Sequence, residues 1–278
     1  MTGLAIRCFI YSCGYLKQIS QLSMCLIIFK YQPNDLYKLV LVANRDEYYQ
    51  RATQAAGYWP DQPHIFGGID HVAGGSWLST DTSGRLAALT NVRKPPFIEN
   101  TKLSRGHLVR DFLSQQSTAP DFIEKLKKRR ADYGLFNLLL MDHTGLWYYS
   151  NDSLHVQQVP AGIHGLCNAS LNTPWPKLST ATAAVEKSLA SNKIDPFELL
   201  STMQSRTQAN DQDLPNTGIS LEFERFLSPI FIQGKDYGTR CTTLLTVDEL
   251  SVKFLEISYD SSGEITGDVK EEIELITR

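Results

Sequence analysis

Met24-Cys25-Leu26-Ile27-Ile28-Phe29 is the stretch that decides the fold of this chain and much of its chemistry. Its apolar residues are of strand length, and such a short continuous run is typical of a buried strand. A methionine followed by cysteine is also the pair that a cell trims to leave cysteine as the first residue. A thiol and a free α-amine on one residue then supply nucleophile and general base together.

The segment before Met24 stands against that chemistry, because Cys25 has no free amine while residues 1–23 remain attached. It is a weak secretory signal, since Arg7 lies inside its apolar part and Lys17 follows soon after. Three interpretations stay open: a mis-assigned start codon, a cleaved leader or a structured extension. We favour the first, because Met24 is itself a start and the rest reads as one coherent domain. The expected organisation is an extension over residues 1–23 and a single domain over residues 24–278.

The order of predicted elements indicates the fold class. An apolar run over residues 39–43 follows a turn at residues 32–35, so the first two strands are expected to form a hairpin. Later, blocks of strands alternate with pairs of helices, which favours an α+β fold with stacked antiparallel sheets. Helices are predicted over residues 104–113, 120–130, 180–189, 196–204 and 221–227. Later strands are predicted over residues 136–141, 146–149, 164–167, 230–233, 242–247 and 252–257.

Composition excludes several classes of protein. A net charge of −3 without a basic stripe argues against a nucleic-acid partner. No apolar stretch reaches 18 residues, so no transmembrane segment is expected. The oligomeric state cannot be read from the sequence.

Cysteine and histidine usage bears on compartment and cofactors. Five cysteines, an odd number without CxxC spacing, indicate a reducing and therefore cytoplasmic compartment, with no disulfide framework or zinc site. The six histidines are scattered and form no HxH or HExxH pair. We therefore expect no metal and no cofactor.

Polar residues follow the second apolar run directly, in the order Asn44-Arg45-Asp46-Glu47. If the first two strands pair as a hairpin, this end of the second strand returns beside Cys25. An arginine near a thiol lowers the pKa of the thiol from about 8.5. A carboxylate can orient the arginine or accept a hydrogen bond from an α-ammonium group. The alternative interpretation is a solvated turn that contains a local ion pair.

Three further positions carry possible site chemistry. Asn91 and Asn168 each end an apolar strand, where an amide group or a backbone N–H can bind a developing oxyanion. Asparagine also ends strands for purely structural reasons. Arg240 enters a strand that looks buried, so it needs a partner, either Asp46 or a substrate carboxylate or phosphate. Trp77 and Trp175 are candidate walls of a binding site.

The ordered blocks of this sequence resemble the NRDE family, to which the Transport and Golgi organisation proteins belong. The resemblance runs from Met24 to nearly the C-terminus. Its blocks are Met24-Cys25, Asn44-Arg45-Asp46-Glu47, Gly74-Gly75-Ser76-Trp77-Leu78, Leu89-Thr90-Asn91-Val92-Arg93, Ser104-Arg105-Gly106, Phe136-Asn137-Leu138-Leu139, Thr173-Pro174-Trp175-Pro176-Lys177, Leu214-Pro215 and Tyr237-Gly238-Thr239-Arg240.

The resemblance implies the four-layer αββα sandwich of N-terminal nucleophile hydrolases such as choloylglycine hydrolases and penicillin V acylases, which cleave amides with an N-terminal cysteine. Carried over, the catalytic set falls on Cys25, Arg45, Asp46, Asn91, Asn168 and Arg240. Candidate substrate-binding residues are Asn44, Glu47, Trp77 and Trp175. In those acylases the arginine and aspartate are spaced apart, whereas Arg45 and Asp46 are adjacent, so Asn44 competes with Arg45 for the arginine's place.

Two functions follow from the resemblance. The first is an N-terminal-cysteine amidohydrolase that acts on a small amide or acyl substrate. The second is a non-catalytic binder or carrier of acyl-CoA or haem, because eukaryotic relatives are linked to lipid and haem homeostasis. The absence of a CxxCH motif argues against tight haem ligation, although a thiolate from Cys25 could serve as a ligand.

Overall fold

Thirteen strands and five α-helices make up the described part of the chain, which is residues 24–97, 101–190 and 194–275 of a computed structural model. The expected extension over residues 1–23 lies outside the described residues. The first sheet contains β1 (Met24–Tyr31), β2 (Leu39–Tyr48), β10 (Gly162–Leu166), β11 (Tyr237–Val247), β12 (Ser251–Tyr259) and β13 (Ile265–Glu274). The second contains β3 (Thr53–Trp59), β4 (Gln62–Asp70), β5 (Leu78–Asp81), β6 (Leu86–Asn91), β7 (Phe136–Asp142), β8 (Gly145–Ser150) and β9 (Val156–Gln158). The helices are α1 (Gly106–Leu113), α2 (Ala119–Lys127), α3 (Pro176–Ser188), α4 (Pro196–Thr202) and α5 (Leu221–Phe226).

Both sheets are antiparallel throughout. The first has the strand order β10-β1-β2-β11-β12-β13, and the second runs in sequence order from β3 to β9. The hairpin of β1 and β2 therefore lies in the middle of the first sheet, between β10 and β11. A central position with both faces covered explains why these strands read as continuous apolar runs.

Three apolar clusters separate four layers, which confirms the predicted αββα sandwich. Between the sheets, the rings of Phe66 on β4 and Phe254 on β12 meet edge to face with centroids 5.2 Å apart. Outside the second sheet, Phe112 of α1 and Phe122 of α2 pack together on it. Outside the first sheet, Leu178 of α3 joins strand residues of β1 and β2 in a third cluster.

In the last part of the chain one prediction was wrong and one strand was missed. Residues 230–233 form no strand: the backbone nitrogen of Phe231 donates to Ser205 and that of Ile232 to Thr239 Oγ1. A short buried apolar run does not distinguish such a segment from a strand. Strand β13 was missed, because it is an exposed edge whose sequence is mostly charged and polar. Charges on an edge strand discourage pairing with other chains.

Helix boundaries depend on local capping. Helix α3 begins four residues before the predicted start, at Pro176, where proline at the first helical position loses no hydrogen bond. In α2, the side chain of Thr118 accepts a hydrogen bond from the Asp121 backbone nitrogen. None of the helices in the described ranges is long and apolar enough to cross a membrane.

Candidate active site

Cys25 lies directly opposite Arg45 in the β1–β2 hairpin, as the hairpin prediction required. On the other side of β2, Cys241 of β11 also lies opposite Arg45. Directly opposed residues of antiparallel strands present their side chains on the same face. The row therefore faces the second sheet, because Ile27 and Ala43, two positions further along, belong to the cluster between the sheets. Two thiols thus flank one guanidinium group.

The thiol of Cys25 is protonated in this environment. Only 3% of the residue is exposed, and burial, followed by the charge of Asp46, raises the pKa of the thiol far above its usual range. Arg45 and a hydrogen bond from the Asp46 backbone N–H act in the opposite direction but do not compensate. The predicted thiolate therefore needs more than the neighbouring arginine.

Asn44 and Asp46 point to the opposite face, toward the helices, because side chains alternate along a strand. Asn44 is fully buried, and its side chain hydrogen-bonds to other parts of the fold. Its partners are the carbonyl oxygens of Met203 and Ile230, each at 2.9 Å, and the hydroxyl of Thr242 at 2.7 Å. These bonds tie β2 to the helix layer, so the position of Asn44 gives no support to the expected role in substrate binding.

The carboxylate of Asp46 is buried and only half satisfied. Oδ1 accepts a hydrogen bond from the Thr239 hydroxyl at 2.6 Å, whereas Oδ2 has no hydrogen-bond partner among the described residues. Burial raises the pKa of Asp46 to about 6, although Lys177, the Thr239 hydrogen bond and Arg45 each lower it. Asp46 is therefore a carboxylate that titrates near neutral pH.

Of the partners expected for Arg240, Asp46 is not used, and a substrate carboxylate or phosphate stays a prediction. The β2–β11 register shifts between Thr239 and Cys241, so Arg240 sits in a β-bulge. Bulges redirect a side chain out of the ladder. The Arg240 guanidinium donates to the backbone carbonyls of Tyr48 and Arg51, while Asp46 faces the helices.

The two asparagines meet beside the start of β1. Asn168 Nδ2 donates to the carbonyl oxygen of Asn91 at 2.9 Å. The backbone nitrogen of Arg93 in turn donates to the carbonyl oxygen of Asn168 at 2.8 Å. The β1–β10 pairing ends at Ile27 and Leu166, and Asn168 follows two residues beyond that end. Asn168 Oδ1 is buried without a partner among the described residues. The fold thus brings Asn91 and Asn168 together beyond the end of β10.

A cavity of about 350 Å³ opens between the sheets beside this row. Among the predicted site residues, its walls include Arg45, Glu47, Trp77, Asn91 and Arg240. The remaining predicted residues, Cys25, Asn44, Asp46, Asn168 and Trp175, are absent from the lining that the described residues form. The cavity-facing thiol of the row is Cys241. Cys25 is 3% exposed and does not open into this cavity.

Arginine dominates the charge of the cavity wall. Arg51 forms two hydrogen bonds with Asp70, at 3.1 and 2.7 Å, and Glu47 lies 3.9 Å from Arg45 and 3.7 Å from Arg51. Arg105, which sequence reasoning missed, donates to the carbonyl oxygen of Leu135 at 3.1 Å, and burial lowers its pKa to about 10. In the part of the chain that the structure describes, neither Arg105 nor Arg240 forms an ion pair. These two cations suit an anionic group.

Paired glycines place Arg105 at this wall. Arg105 is the N-cap of α1, and the Ser76 backbone nitrogen donates to the carbonyl oxygen of Gly106 at 3.1 Å. The chains cross so closely that a Cβ on Gly75 would lie 2.3 Å from the carbonyl carbon of Gly106. A cation at a helix N-terminus opposes the helix dipole. An arginine at this unfavourable position, in Ser104-Arg105-Gly106 before an amphipathic helix, was the sequence signal that could have marked Arg105 as a site residue.

On the helix side of the first sheet lies a second charged group. Arg93 and Glu224 form a salt bridge of 2.7 Å, with both side chains 3% exposed. Arg93 also stacks over the ring of Trp175, 4.9 Å from the centroid, and its Nη1 lies 3.3 Å from the sulfur of Met24. Trp175 therefore belongs to this helix-side group and not to the cavity wall.

Cysteines and possible metal ligands are dispersed. Cys25, Cys167 and Cys241 are buried free thiols. Within residues 24–97, 101–190 and 194–275, no three or more His, Cys, Asp or Glu side chains are grouped as a metal site would need.

Fold and site together define an α+β protein of the four-layer αββα type, with a cysteine–arginine pair at the centre of one sheet. Among the described residues, four arginines and three carboxylates line the cavity between the sheets. Residues 24–261 match the family described as Transport and Golgi organisation 2. The chain belongs to that family, as its ordered sequence blocks indicated.

Relatives with known names cover most of the chain. The Transport and Golgi organization protein 2 homolog of Bos taurus is 32% identical over 246 residues, which are 81% of this chain and 89% of the relative. The homolog of Homo sapiens is 32% identical over 250 residues, with the same coverage. Transport and Golgi organization protein 2 of Drosophila melanogaster is 26% identical over 275 residues, or 87% of this chain and 95% of the relative.

Two solved structures are more distantly similar. The Caenorhabditis elegans ortholog of N-acylethanolamine-hydrolyzing acid amidase has a TM-score of 0.49 at 10% identity, over 80% of this chain and 92% of that one. A mutant conjugated bile acid hydrolase from Clostridium perfringens has a TM-score of 0.47 at 10% identity, over 91% and 97%. Likenesses at this level do not determine the activity of the present chain.

Proposed function

We propose that this protein is an N-terminal-cysteine amidohydrolase that acts on a small amide or acyl substrate once the chain has been cut before Cys25. One observation carries the proposal: Cys25 of β1 lies directly opposite Arg45 of β2 in the hairpin register. A nucleophile and a cation are thereby held on rigid strands, an arrangement that supports covalent catalysis.

The reaction would run through an acyl-enzyme. The α-amine of Cys25 takes the thiol proton, and the thiolate attacks the amide carbonyl carbon. Asn91 and Asn168 would hold the oxyanion, whose collapse expels the leaving amine with the proton from the α-ammonium group. Water then attacks the thioester carbonyl carbon while the α-amine accepts its proton. Collapse releases the acid and the Cys25 thiolate, which regains its proton from the α-ammonium group.

Removal of Met24 creates the α-amine that this scheme needs. The Met24 side chain itself faces the helix layer, on the opposite side of β1 from the Cys25 thiol. While Met24 stays in place, burial keeps the thiol protonated, so little reactivity is expected.

Covalent labelling tests the proposal. We would determine the natural N-terminus by intact mass and treat the protein with an amide-directed electrophile. Labelling at Cys25 in the cut form only, lost in Cys25→Ala, is expected. Cys241→Ala is the matched control, because Cys241 faces the cavity from the same row. Equal labelling before and after the cut, or labelling that follows Cys241, would contradict the proposal.

The second candidate function is a carrier of acyl-CoA or haem, and the cavity wall favours it specifically. Arg105 and Arg240 face about 350 Å³ of space without carboxylate partners among the described residues, as a site for phosphate or carboxylate groups would. This function needs no free α-amine. In both cases we place the protein in the reducing cytoplasm, a setting in which free thiols persist.

Titration of the purified full-length chain with palmitoyl-CoA and with haem separates the two functions. Micromolar binding that survives Cys25→Ala would support the carrier. If neither compound binds and the cut protein becomes acylated at Cys25, the amidohydrolase stands and the carrier is excluded.

A further inference from the structure

Lys177 is a buried lysine in the first turn of α3, and the proposed reaction leaves it unused. It is 5% exposed. A cation at a helix N-terminus opposes the helix dipole, and burying an ammonium group is costly unless it is paired. Within the described ranges, Nζ donates to the carbonyl oxygen of Leu227 at 3.1 Å and forms no ion pair. The fold thus retains a lysine where both the helix dipole and burial disfavour its positive charge.

The groups that face Lys177 come from several elements. Burial lowers the pKa of Lys177, and Asp46 on β2 is the opposite charge that raises it most. The other facing groups are Cys25 on β1, Cys167 beyond β10, and Arg93 beyond β6. Arg93 is already compensated by Glu224 at 2.7 Å. Asp46 is not, because its Oδ2 is buried without a hydrogen bond in the described part of the chain. Lys177 and Asp46 therefore form an incomplete pair.

Met24 lies among these groups. It stands opposite Asp46 in register, and its sulfur is 3.3 Å from Arg93 Nη1. It also packs in one cluster with Leu227, the residue whose carbonyl oxygen holds Lys177. Loss of Met24 would open a space bordered by Asp46, Arg93 and Lys177. The new α-amine of Cys25 would appear at the edge of that space.

We propose that Lys177 is a positioning residue that keeps the α-amine of Cys25 uncharged after Met24 has been removed. The inference rests on the proposed function, since it presupposes the free amine. Asp46 alone would hold the amine as an ammonium ion, which cannot take the proton of the thiol. The ammonium group of Lys177 offsets that attraction, because a neighbouring like charge disfavours the protonated amine.

The test measures the α-amine directly. A recognition sequence for a site-specific protease is placed ahead of Cys25 in the full-length chain, so that cutting leaves Cys25 first. Competitive labelling with acetic anhydride between pH 5 and 10 then gives the pKa of the amine. Lys177→Met should raise that pKa by roughly one to two units, and Lys177→Arg, which keeps the charge, should restore it. Lys187→Met, an exposed change on the same helix, is the matched control and should have no effect.

A double variant separates charge from structural damage. Asp46→Asn with Lys177→Met removes both members of the pair, so the pKa of the amine should return close to that of the original protein. The proposal would be overturned if Lys177→Met left the pKa of the amine unchanged, or if Lys187→Met shifted it equally. It would also be overturned if the double variant shifted that pKa further than Lys177→Met alone. If Lys177→Met alone does not fold, the double variant and Lys177→Arg decide.

Failure here is distinguishable from failure of the proposed function, because the labelling needs no substrate. A shifted amine without any acylation of Cys25 would sink the hydrolase and leave the role of Lys177 intact. Acylation without a shift would do the reverse.

Discussion

The hydroxyl of Tyr237 accepts a hydrogen bond from the backbone nitrogen of Met24 at 3.1 Å. The same hydroxyl donates to the carbonyl oxygen of Asp46, also at 3.1 Å. Since Met24 and Asp46 are opposed in register, Tyr237 bridges the β1–β2 ladder one residue before Cys25. A side chain from β11 thereby fixes the place where the candidate nucleophile begins.

Tyr237→Phe should lower the free energy of unfolding of the chain that retains Met24 by about 1–3 kcal/mol, because a buried backbone N–H loses its acceptor. The loss is measured by urea unfolding, provided that the dependence of the free energy of unfolding on urea concentration is the same in both proteins. Tyr58→Phe is the control: its hydroxyl bonds to Glu271 at the surface, so the change should be much smaller. Equal effects of the two changes would contradict the bridging role.

Gly75→Ala should destabilise the fold by about 1–3 kcal/mol, because its Cβ would meet the backbone of Gly106. Thermal or urea unfolding checks this. At Gly267 a Cβ meets nothing within 4 Å, so Gly267→Ala should leave stability unchanged. A tolerated Gly75→Ala would show that the crossing of β4–β5 and α1 can widen.

Glu224→Gln should cost about 3–5 kcal/mol, because it leaves the buried Arg93 guanidinium without a counter-charge. The measurement is the urea midpoint at neutral pH. Asp211→Asn breaks the exposed pair with Arg225 and should leave the midpoint where it is. A midpoint equally insensitive to Glu224→Gln would mean that Arg93 finds another partner.

Asp46 should make stability fall as pH rises from about 4 to 6. In that window the folded protein still binds the proton, with a pKa of about 6, while the unfolded chain, near its ordinary 3.8, has released it. The difference amounts to about 3 kcal/mol above pH 6. Asp46→Asn removes this slope and keeps an acceptor for the Thr239 hydroxyl. We would measure the free energy of unfolding by urea from pH 3.5 to 7.5. The stability of Asp46→Asn relative to the original protein should increase as pH rises, and a difference that does not change with pH would refute the raised pKa of Asp46.

Arg105→Gln should weaken binding of palmitoyl-CoA to the full-length chain about tenfold if the cavity holds its anionic groups, because one charge-assisted contact is lost. Isothermal titration gives the dissociation constants. Arg129→Gln, at an exposed arginine that does not line the cavity, is the control. Equal affinities for both variants would remove Arg105 from the binding site.

The pattern of apolar residues and turns predicted the elements that pair with their neighbours in sequence. The apolar runs of β1 and β2 and the turn between them lead to the hairpin, and the hairpin leads to Cys25 beside Arg45. The pattern did not reveal β13, whose polar sequence hydrogen-bonds as an edge strand, nor that Phe231 and Ile232 are buried without being a strand. Strand β13 pairs with its neighbour β12 but lacks an apolar pattern, whereas Phe231 is held by a hydrogen bond to Ser205, which local periodicity does not report.

The site divides in the same way. The ordered sequence blocks indicated the family and, through that resemblance, the αββα layers. Local pattern placed Cys25 beside Arg45, because register along a hairpin follows from neighbouring residues. Tertiary structure alone decided that Asp46 faces Lys177 and not Arg240, and that Arg105 joins the cavity wall. The reason is physical: strand alternation and a bulge between Thr239 and Cys241 set which face a side chain takes. Which charges meet on that face depends on elements far away in the chain.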